Sequence, residues 1–287
     1  MSQILEILGS KYPIIQGPIG ELNDPKMVAA VSEAGGFGML ALGFVQNLDK
    51  VKQLIAGVKE LTDKPFGANL MIAMNPHNEA ILEILAEAGI KTVTTSAGAP
   101  KKIYPKIKEL GLKGLHVILA APLALKAVEA GADGVVVSGA ESGGLRTTGP
   151  ESSNMILIPL VCDLVDIPVA AAGGVADRRG FRAALALGAQ GVQIGTAFLA
   201  TEESPAPQEW KQAIIDCTDA GTVLLPRLGI AMRTLINDEM RQMMASGLDL
   251  SKEYKAGDAS KTWGGGQISA LIKKIRPVKE IIEEMVS

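Results

Sequence analysis

Two glycine-bearing turns carry the strongest chemical signal in this 287-residue chain. They are Ala172-Gly173-Gly174-Val175, which ends the apolar run IPVAAAG, and Gly195-Thr196 inside GVQIGTAF. Glycine has no Cβ, so backbone N–H groups in such turns can approach an anion closely, and the Thr196 hydroxyl adds a donor. One glycine turn alone reads as ordinary chain reversal; two at one corner point to a phosphate. Three further run ends are chemically unusual: Gln16-Gly17-Pro18-Ile19, Asn69 in PFGANLM, and Gly139-Ala140-Glu141-Ser142-Gly143-Gly144. A side-chain amide such as Asn69 offers both donor and acceptor to the edge of a heterocycle, or else caps the following loop. Closely spaced glycines let backbone lie against a flat ring or a polyol chain. A phosphorylated, flat cofactor fits these groups.

The elements that must position them form a repeating phrase. Residues 12–16 are a short β-branched run, and Asp24-Pro25 then opens the helical pattern MVAAVSEAG. The phrase returns as GFGMLAL with a helix near 47–61, PFGANLM with 78–88, KTVTTS with 100–110, GLHVILA with 122–130, GADGVVVS with 152–164 and IPVAAAG with 178–187. GVQIGTAF supplies an eighth strand. Runs such as GVVVS are continuously apolar, as expected for parallel strands covered on both faces. Eight units favour a closed α/β, (β/α)8 TIM barrel over an open doubly wound sheet, and in such a barrel phosphates sit between the loops after strands seven and eight. The expected organisation is a barrel over residues 1–200 and a small helical appendage or lid over 201–287 that returns to the barrel with a C-terminal helix.

Composition narrows the classes. A 47% hydrophobic, 21% charged chain has the makings of a large core, and a formal charge of -3 argues against a cationic grip on nucleic acid. No secretory signal and no bilayer-length apolar run is visible, so a cytoplasmic protein with no membrane partner is expected. Cys162 and Cys217 lack metal-knuckle or redox spacing, and no metal is expected. A broad apolar helix exterior permits a homodimer.

The segments YPIIQGPIG, AGGFGML, PFGANLM, GADGVVVSGAESGG, IPVAAAGGVADRRG, LGAQGVQIGTAFLATEES and GGGQISALIKKIRPVKEI, in this order, resemble the flavin-dependent family that holds nitronate monooxygenases and flavin-type enoyl-ACP reductases. The resemblance runs almost end to end. It implies an FMN-dependent oxidoreductase, with Gly173, Gly174, Gly195 and Thr196 at the phosphate and Gly17, Pro18, Ile19 and Asn69 near the ring. Thr95, Ser142, Gly143 and Gly144 would line the same pocket, and Gln267 would approach from the appended segment. NAD(P)H would be the reductant, and a small molecule or acyl thioester the substrate. Two other readings remain beside it: a non-catalytic FMN-binding protein, and a phosphosugar-handling barrel without flavin.

One position departs from the resemblance. Where the family places a histidine over the flavin, after Glu-Ala/Ser-Gly-Gly, this chain has Leu145. Histidine exchanges protons near neutral pH and leucine can only pack, so no catalytic residue is assigned. Arg146 could anchor an anionic substrate group or be a solvated loop residue. His116 falls inside a strand and is expected to be buried or helix-facing; His77, nearer the expected mouth, is the better spare proton donor but is expected to cap a loop or lie exposed. Trp263, before Gly264-Gly265-Gly266, could fold over the ring. Met240, Met243 and Met244 could line an acyl channel, although methionines at helical spacing more often fill a core.

Overall fold

The computed structural model describes residues 2–20, 22–227, 230–254 and 262–287. Its centre is the expected closed barrel. The strands are β1 (Ile14–Gln16), β2 (Gly38–Ala41), β3 (Phe66–Met71), β4 (Thr92–Ser96), β5 (Lys113–Ile118), β6 (Gly134–Ser138), β8 (Val169–Ala172) and β9 (Gly191–Ile194). A short strand β7 (Gly144–Arg146) lies in the connection between β6 and β8. The eight are parallel in the order β1-β9-β8-β6-β5-β4-β3-β2. Closure comes from a parallel bridge between Ile15 and Phe37, with Gln16 N donating to Phe37 O at 2.9 Å and Phe37 N to Ile14 O at 2.8 Å.

Strand alternation divides the apolar residues into two sets. Ile15, Phe37, Met39, Leu115, Val136, Ala170 and Ala172 fill the interior, and Ile4 and Leu8 of α1 (Gln3–Leu8) join them from below. Ile14, Leu40, Val93, Val135, Val137, Val169 and Val192 face outward into a second cluster made with the surrounding helices. Those helices are α2 (Pro25–Glu33), α3 (Leu48–Lys59), α4 (Asn78–Glu87), α5 (Tyr104–Glu109), α6 (Pro122–Ala130), α7 (Asn154–Cys162) and α8 (Arg178–Ala186). Several start where a side chain satisfies free N–H groups: Asp24 accepts from Lys26 N, Asn47 from Asp49 N and Lys50 N, and Asp177 from Arg179 N and Gly180 N.

After β9 and the short α9 (Thr196–Leu199), the chain leaves the barrel and comes back as α13 (Val278–Val286), which packs between α8 and α2 as the eighth barrel helix. The intervening segment is not all helical. Beside α10 (Gln208–Ile215), α11 (Asp238–Ala245) and α12 (Leu250–Glu253) it holds a hairpin, β10 (Thr222–Arg227) and β11 (Ile230–Leu235), and β11 pairs antiparallel with β7. Asn237 caps α11 by accepting from Met240 N at 2.9 Å, so the helix begins there and IAMRTL goes to the strand. Met240 is buried with Leu225, Ile236 and Leu250, so it fills the small core of the appendage, while Met244 is exposed. Among the described residues no helix is long and apolar enough to cross a membrane.

Candidate functional site

The glycine turns gather at the carboxyl ends of β8, β9, β1 and β6. Gly17 N donates to Ile194 O at 2.7 Å, bringing the end of β1 against Gly195, and a Cβ on Gly17 would stand 3.3 Å from Gly195 Cα. Pro18 and Ile19 follow, half-buried. Gly173 and Gly174 have φ of +93° and +74°, a conformation that L side chains resist. The two glycines differ in what surrounds them. A Cβ on Gly173 would collide with Ser142 Oγ, whereas Gly174 has nothing nearer than Glu141 at 3.7 Å and Gly195 has open space. Packing therefore demands glycine at 173, and a free wall remains at 174 and 195.

Side-chain hydrogen bonds hold this corner in shape. Ser142 Oγ donates to Ala172 O at 3.0 Å and accepts from Ser138 Oγ at 2.9 Å. Asn154, the first residue of α7, donates from Nδ2 to Ala172 O at 2.8 Å and Gly173 O at 2.7 Å, and its N–H meets the Glu141 carboxylate at 3.0 and 3.1 Å. Arg146 is buried rather than solvated: Nε pairs with Glu151 at 2.8 Å, Nη1 donates to Ser138 Oγ at 2.7 Å and Nη2 to Ser138 O at 3.1 Å. Burial lowers its pKa and the charge of Glu151 opposes that shift. A guanidinium committed to this buried pair ties the loop after β6 to the strand end, so both roles open to it from sequence give way to a positioning one.

The appendage reaches the same loops. Gly266 N donates to Thr196 Oγ1 at 3.1 Å, Gln267 N to Glu141 O at 2.9 Å, and Arg233 Nε to Ala140 O at 3.1 Å. A Cβ on Gly143 would stand 2.6 Å from Gly265 C and Gly266 N, so those segments touch backbone to backbone. The Gln267 side chain is exposed while its backbone anchors the segment. Trp263 stacks on Trp210, ring centroids 6.5 Å apart and 10° from parallel, and Trp210 Nε1 donates to Gly264 O at 2.9 Å. Trp263 is thus a packing residue that helps hold the glycine segment.

Across the barrel, Asn69 is buried with Nδ2 on Thr94 Oγ1 at 2.8 Å, and Thr94 Oγ1 lies 3.1 Å from Met39 Sδ of the interior set. Thr95 is not with them. Its Oγ1 meets His116 Nδ1 at 2.8 Å and Tyr104 OH of α5 at 3.2 Å, which puts it on the outward face of β4; alternation turns Thr94 and Ser96 inward instead. His116 shares that outer layer, edge-on to Tyr104, and burial pulls its pKa down to about 4. His77 is exposed and precedes α4 without a side-chain cap. Leu145 is exposed and opposite Met232 in the β7–β11 ladder.

Two contributors escape the sequence reading. Gln193 stands between the outward-facing Val192 and Ile194, so it faces the interior, and its buried Oε1 has no partner among the described residues. A polar residue inside the apolar run GVQIG was the available signal. Asn154 gave none, because its role depends on α7 starting beside Gly173.

The chain matches the nitronate monooxygenase family model over residues 1–84 and 75–287. It is 34% identical to the (3aS,4S,5R,7aS)-5-hydroxy-7a-methyl-1-oxo-octahydro-1H-indene-4-carboxyl-CoA dehydrogenase of Rhodococcus jostii, over 94% of this chain and 76% of that one. It is 32% identical to a probable nitronate monooxygenase of Staphylococcus saprophyticus, over 78% of this chain and 75% of that one. Among solved structures it resembles FabK from Thermotoga maritima (TM-score 0.88, 34% identity, 100% of this chain and 95% of that one). It also resembles the nitroalkane oxidase of Streptomyces ansochromogenes (TM-score 0.84, 28% identity, 99% and 97%). With the barrel, the glycine corner and a family match that spans the chain, the chain belongs to the nitronate monooxygenase family.

Proposed function

We propose that this protein is an FMN-dependent oxidoreductase that acts on a nitronate or on the activated alkene of an acyl thioester. The observation that carries the reading is the glycine-walled opening at Gly174 and Gly195 above an interior polar atom, Gln193 Oε1, left without a partner among the described residues. A phosphorylated flat ring fits both features: the open glycine walls suit its phosphate, and the amide oxygen is free to accept a ring N–H. Gly173, Gly174, Gly195 and Thr196 would hold the phosphate. The Thr196 hydroxyl accepts from Gly266 N and keeps its own O–H to donate. Gly17, Pro18, Ile19, Asn69, Ser142, Gly143, Gly144 and the Gln267 segment would surround the ring, and Gln193 joins them. Thr95 leaves the set.

FMN bound here would accept and pass on electrons, while the chain positions the reactants and excludes water. Leu145 neither gives nor takes a proton, so the substrate must arrive already ionised or draw its proton from solvent. Relatives that are coenzyme A thioester dehydrogenases favour the acyl reading, and those described as nitronate monooxygenases favour the other. NAD(P)H as reductant, operation in the cytoplasm and assembly as a homodimer belong to the same proposal.

The visible spectrum of the purified protein tests it first. A flavin spectrum is expected, and a colourless protein that cannot be reconstituted with FMN overturns the reading in favour of a phosphosugar-handling barrel. Anaerobic mixing with NADH, NADPH and a nitronate follows. Bleaching within one turnover time by at least one donor is expected; slow bleaching by all three would make the flavin an inert ligand.

A further inference from the structure

Beside the glycine corner lies a second cavity, with a volume of about 220 Å³. Ala176 and Ala197 form its inner wall, each two residues beyond an open glycine, Gly174 and Gly195, so the two sites share the turns after β8 and β9. Ile272 and Ile281 complete a buried apolar floor, and Leu271, 54% exposed, stands at the rim. An exposed leucine beside an apolar slot is surface that a flat ring would cover. Pockets that enclose a whole organic ligand hold roughly 300–1,000 Å³. This one is sized for one end of a longer molecule.

The charges on its wall say what that end carries. Asp177 at the start of α8, Lys273, Lys274 and Arg276 on the segment before α13, and Glu284 on α13 line the cavity. Both carboxylates already have an arginine, Asp177 with Arg179 at 2.6 Å and Glu284 with Arg276 at 2.5 Å. Lys273 donates to the uncharged Cys217 O at 3.1 Å, and no carboxylate among the described residues pairs with Lys274. The charged groups around the lining balance one another. Lys279 faces Glu283 at 3.8 Å, Arg182 meets the chain end at Ser287 O, Glu202 and Glu203 are opposed by the buried Lys211, and Arg178 and Glu280 are exposed. The cavity therefore keeps an excess of two ammonium groups.

We infer that this cavity binds a phosphorylated adenosine, the nucleotide end of a ligand whose other end reacts at the mouth of the barrel. Adenine is a flat, uncharged ring for the apolar floor, and a phosphate on its ribose gives the two lysines the anion they lack. The spacing suits such a ligand. The short 3-10 helix Gln267–Leu271 runs from the anchor of Gln267 N on Glu141 O to the cavity rim. At about 2.0 Å per residue its ends stand ~8 Å apart, a gap that a ribose and a pyrophosphate bridge. Two ligand classes carry this group: a nicotinamide dinucleotide phosphorylated on the 2′-hydroxyl of its adenosine, and a coenzyme A thioester phosphorylated on the 3′-hydroxyl. The inference rests on the flavin reading for what lies at the far end, and on the cavity alone for the adenosine.

Isothermal titration calorimetry on the flavin-loaded protein tests this with adenosine 2′,5′-bisphosphate and adenosine 3′,5′-bisphosphate. One of them is expected to bind with a Kd of ~10–100 μM, and at least ~10-fold more tightly than adenosine or inorganic phosphate, since neither of those fills both parts of the site. Lys274→Glu changes an exposed side chain and is expected to weaken that binding ~10-fold or more, while Lys279→Glu, on α13 outside the cavity, leaves it within about twofold. Preference for the 2′,5′ probe assigns the site to the reductant, and preference for the 3′,5′ probe to the substrate. No binding of either probe at ~5 mM by a yellow protein overturns the inference and leaves the flavin reading standing. So does binding that Lys274→Glu leaves unchanged, or inorganic phosphate that binds as tightly as the bisphosphates. A colourless protein that binds a bisphosphate in a Lys274-dependent way upholds the cavity and overturns the flavin reading instead.

Discussion

Leu145 is where the chemistry of this chain departs from the pattern of its family, and the geometry says why the change is local. In the β7–β11 ladder Leu145 lies opposite Met232, while its neighbour Arg146 turns to the other face and is buried on Ser138 and Glu151. The loop is therefore held by Arg146 whatever occupies position 145. Restoring a histidine should add a proton acceptor without disturbing the fold. For Leu145→His we expect turnover of neutral nitroalkanes to rise ~10-fold or more, within the range that positioned acid–base groups supply. The gain should switch on as pH rises through about 6.5, where imidazole becomes neutral. Rates on preformed nitronates should stay within about twofold, since those need no deprotonation. Steady-state assays of both substrate forms across pH 5–9 decide it. A variant that is folded and flavin-loaded yet still inert toward the neutral form would show that the missing proton acceptor is not what limits the reaction.

At the scale of elements, the layer between β4, β5 and α5 sets a pH dependence of stability. His116 is enclosed with Thr95 and Tyr104, and desolvation lowers its pKa from 6.5 to about 4. The folded chain thus resists a proton that the unfolded chain accepts. The resulting stability is fully present above pH 6.5 and is lost as pH falls toward 4, by about 3 kcal/mol in all. Urea unfolding at pH 7, 5.5 and 4.5 should show that loss in the wild type, and His116→Gln, which keeps an amide beside Thr95, should flatten the part owed to the ring. Equal slopes in the two proteins would remove His116 as the cause. The position of His116 was legible in the sequence because strand and helix periods are strong signals, and the same signals yielded all eight barrel strands. The hairpin was not legible. Pro226 disguises β10, where an edge strand tolerates it, and IAMRTL runs without a break into the helical pattern after Asn237. Thr95 was misplaced for a related reason: one residue along a strand reverses the face, and a motif match does not register that.

For the molecule as a whole, residues 201–277 are an insertion within the barrel rather than a tail upon it. The chain departs at Thr201 and returns at Arg276, the two joined by a parallel bridge, and Val278 N is capped by the Glu203 carboxylate at 3.0 and 3.2 Å. Because α13 completes the ring, the appendage lies between two parts of the barrel. Between those pinned ends, the segment that passes over the glycine corner meets it through hydrogen bonds to Thr196 and Glu141 and is tied to the rest of the appendage by Trp210 Nε1 on Gly264 O. Opening it would uncover the proposed phosphate site, so a ligand that occupies the closed form alone must oppose the opening. At a free FMN concentration of ~100 Kd the closed form gains about 2.7 kcal/mol, and exchange through that motion slows about 100-fold. Hydrogen exchange followed by mass spectrometry, with and without FMN, should therefore show the amides of Gly265, Gly266 and Gln267 gaining protection together with those of Gly173–Val175 and Gly195–Ala197. Protection confined to the barrel turns would mean that the appendage moves independently of the site and that its contacts there are packing alone.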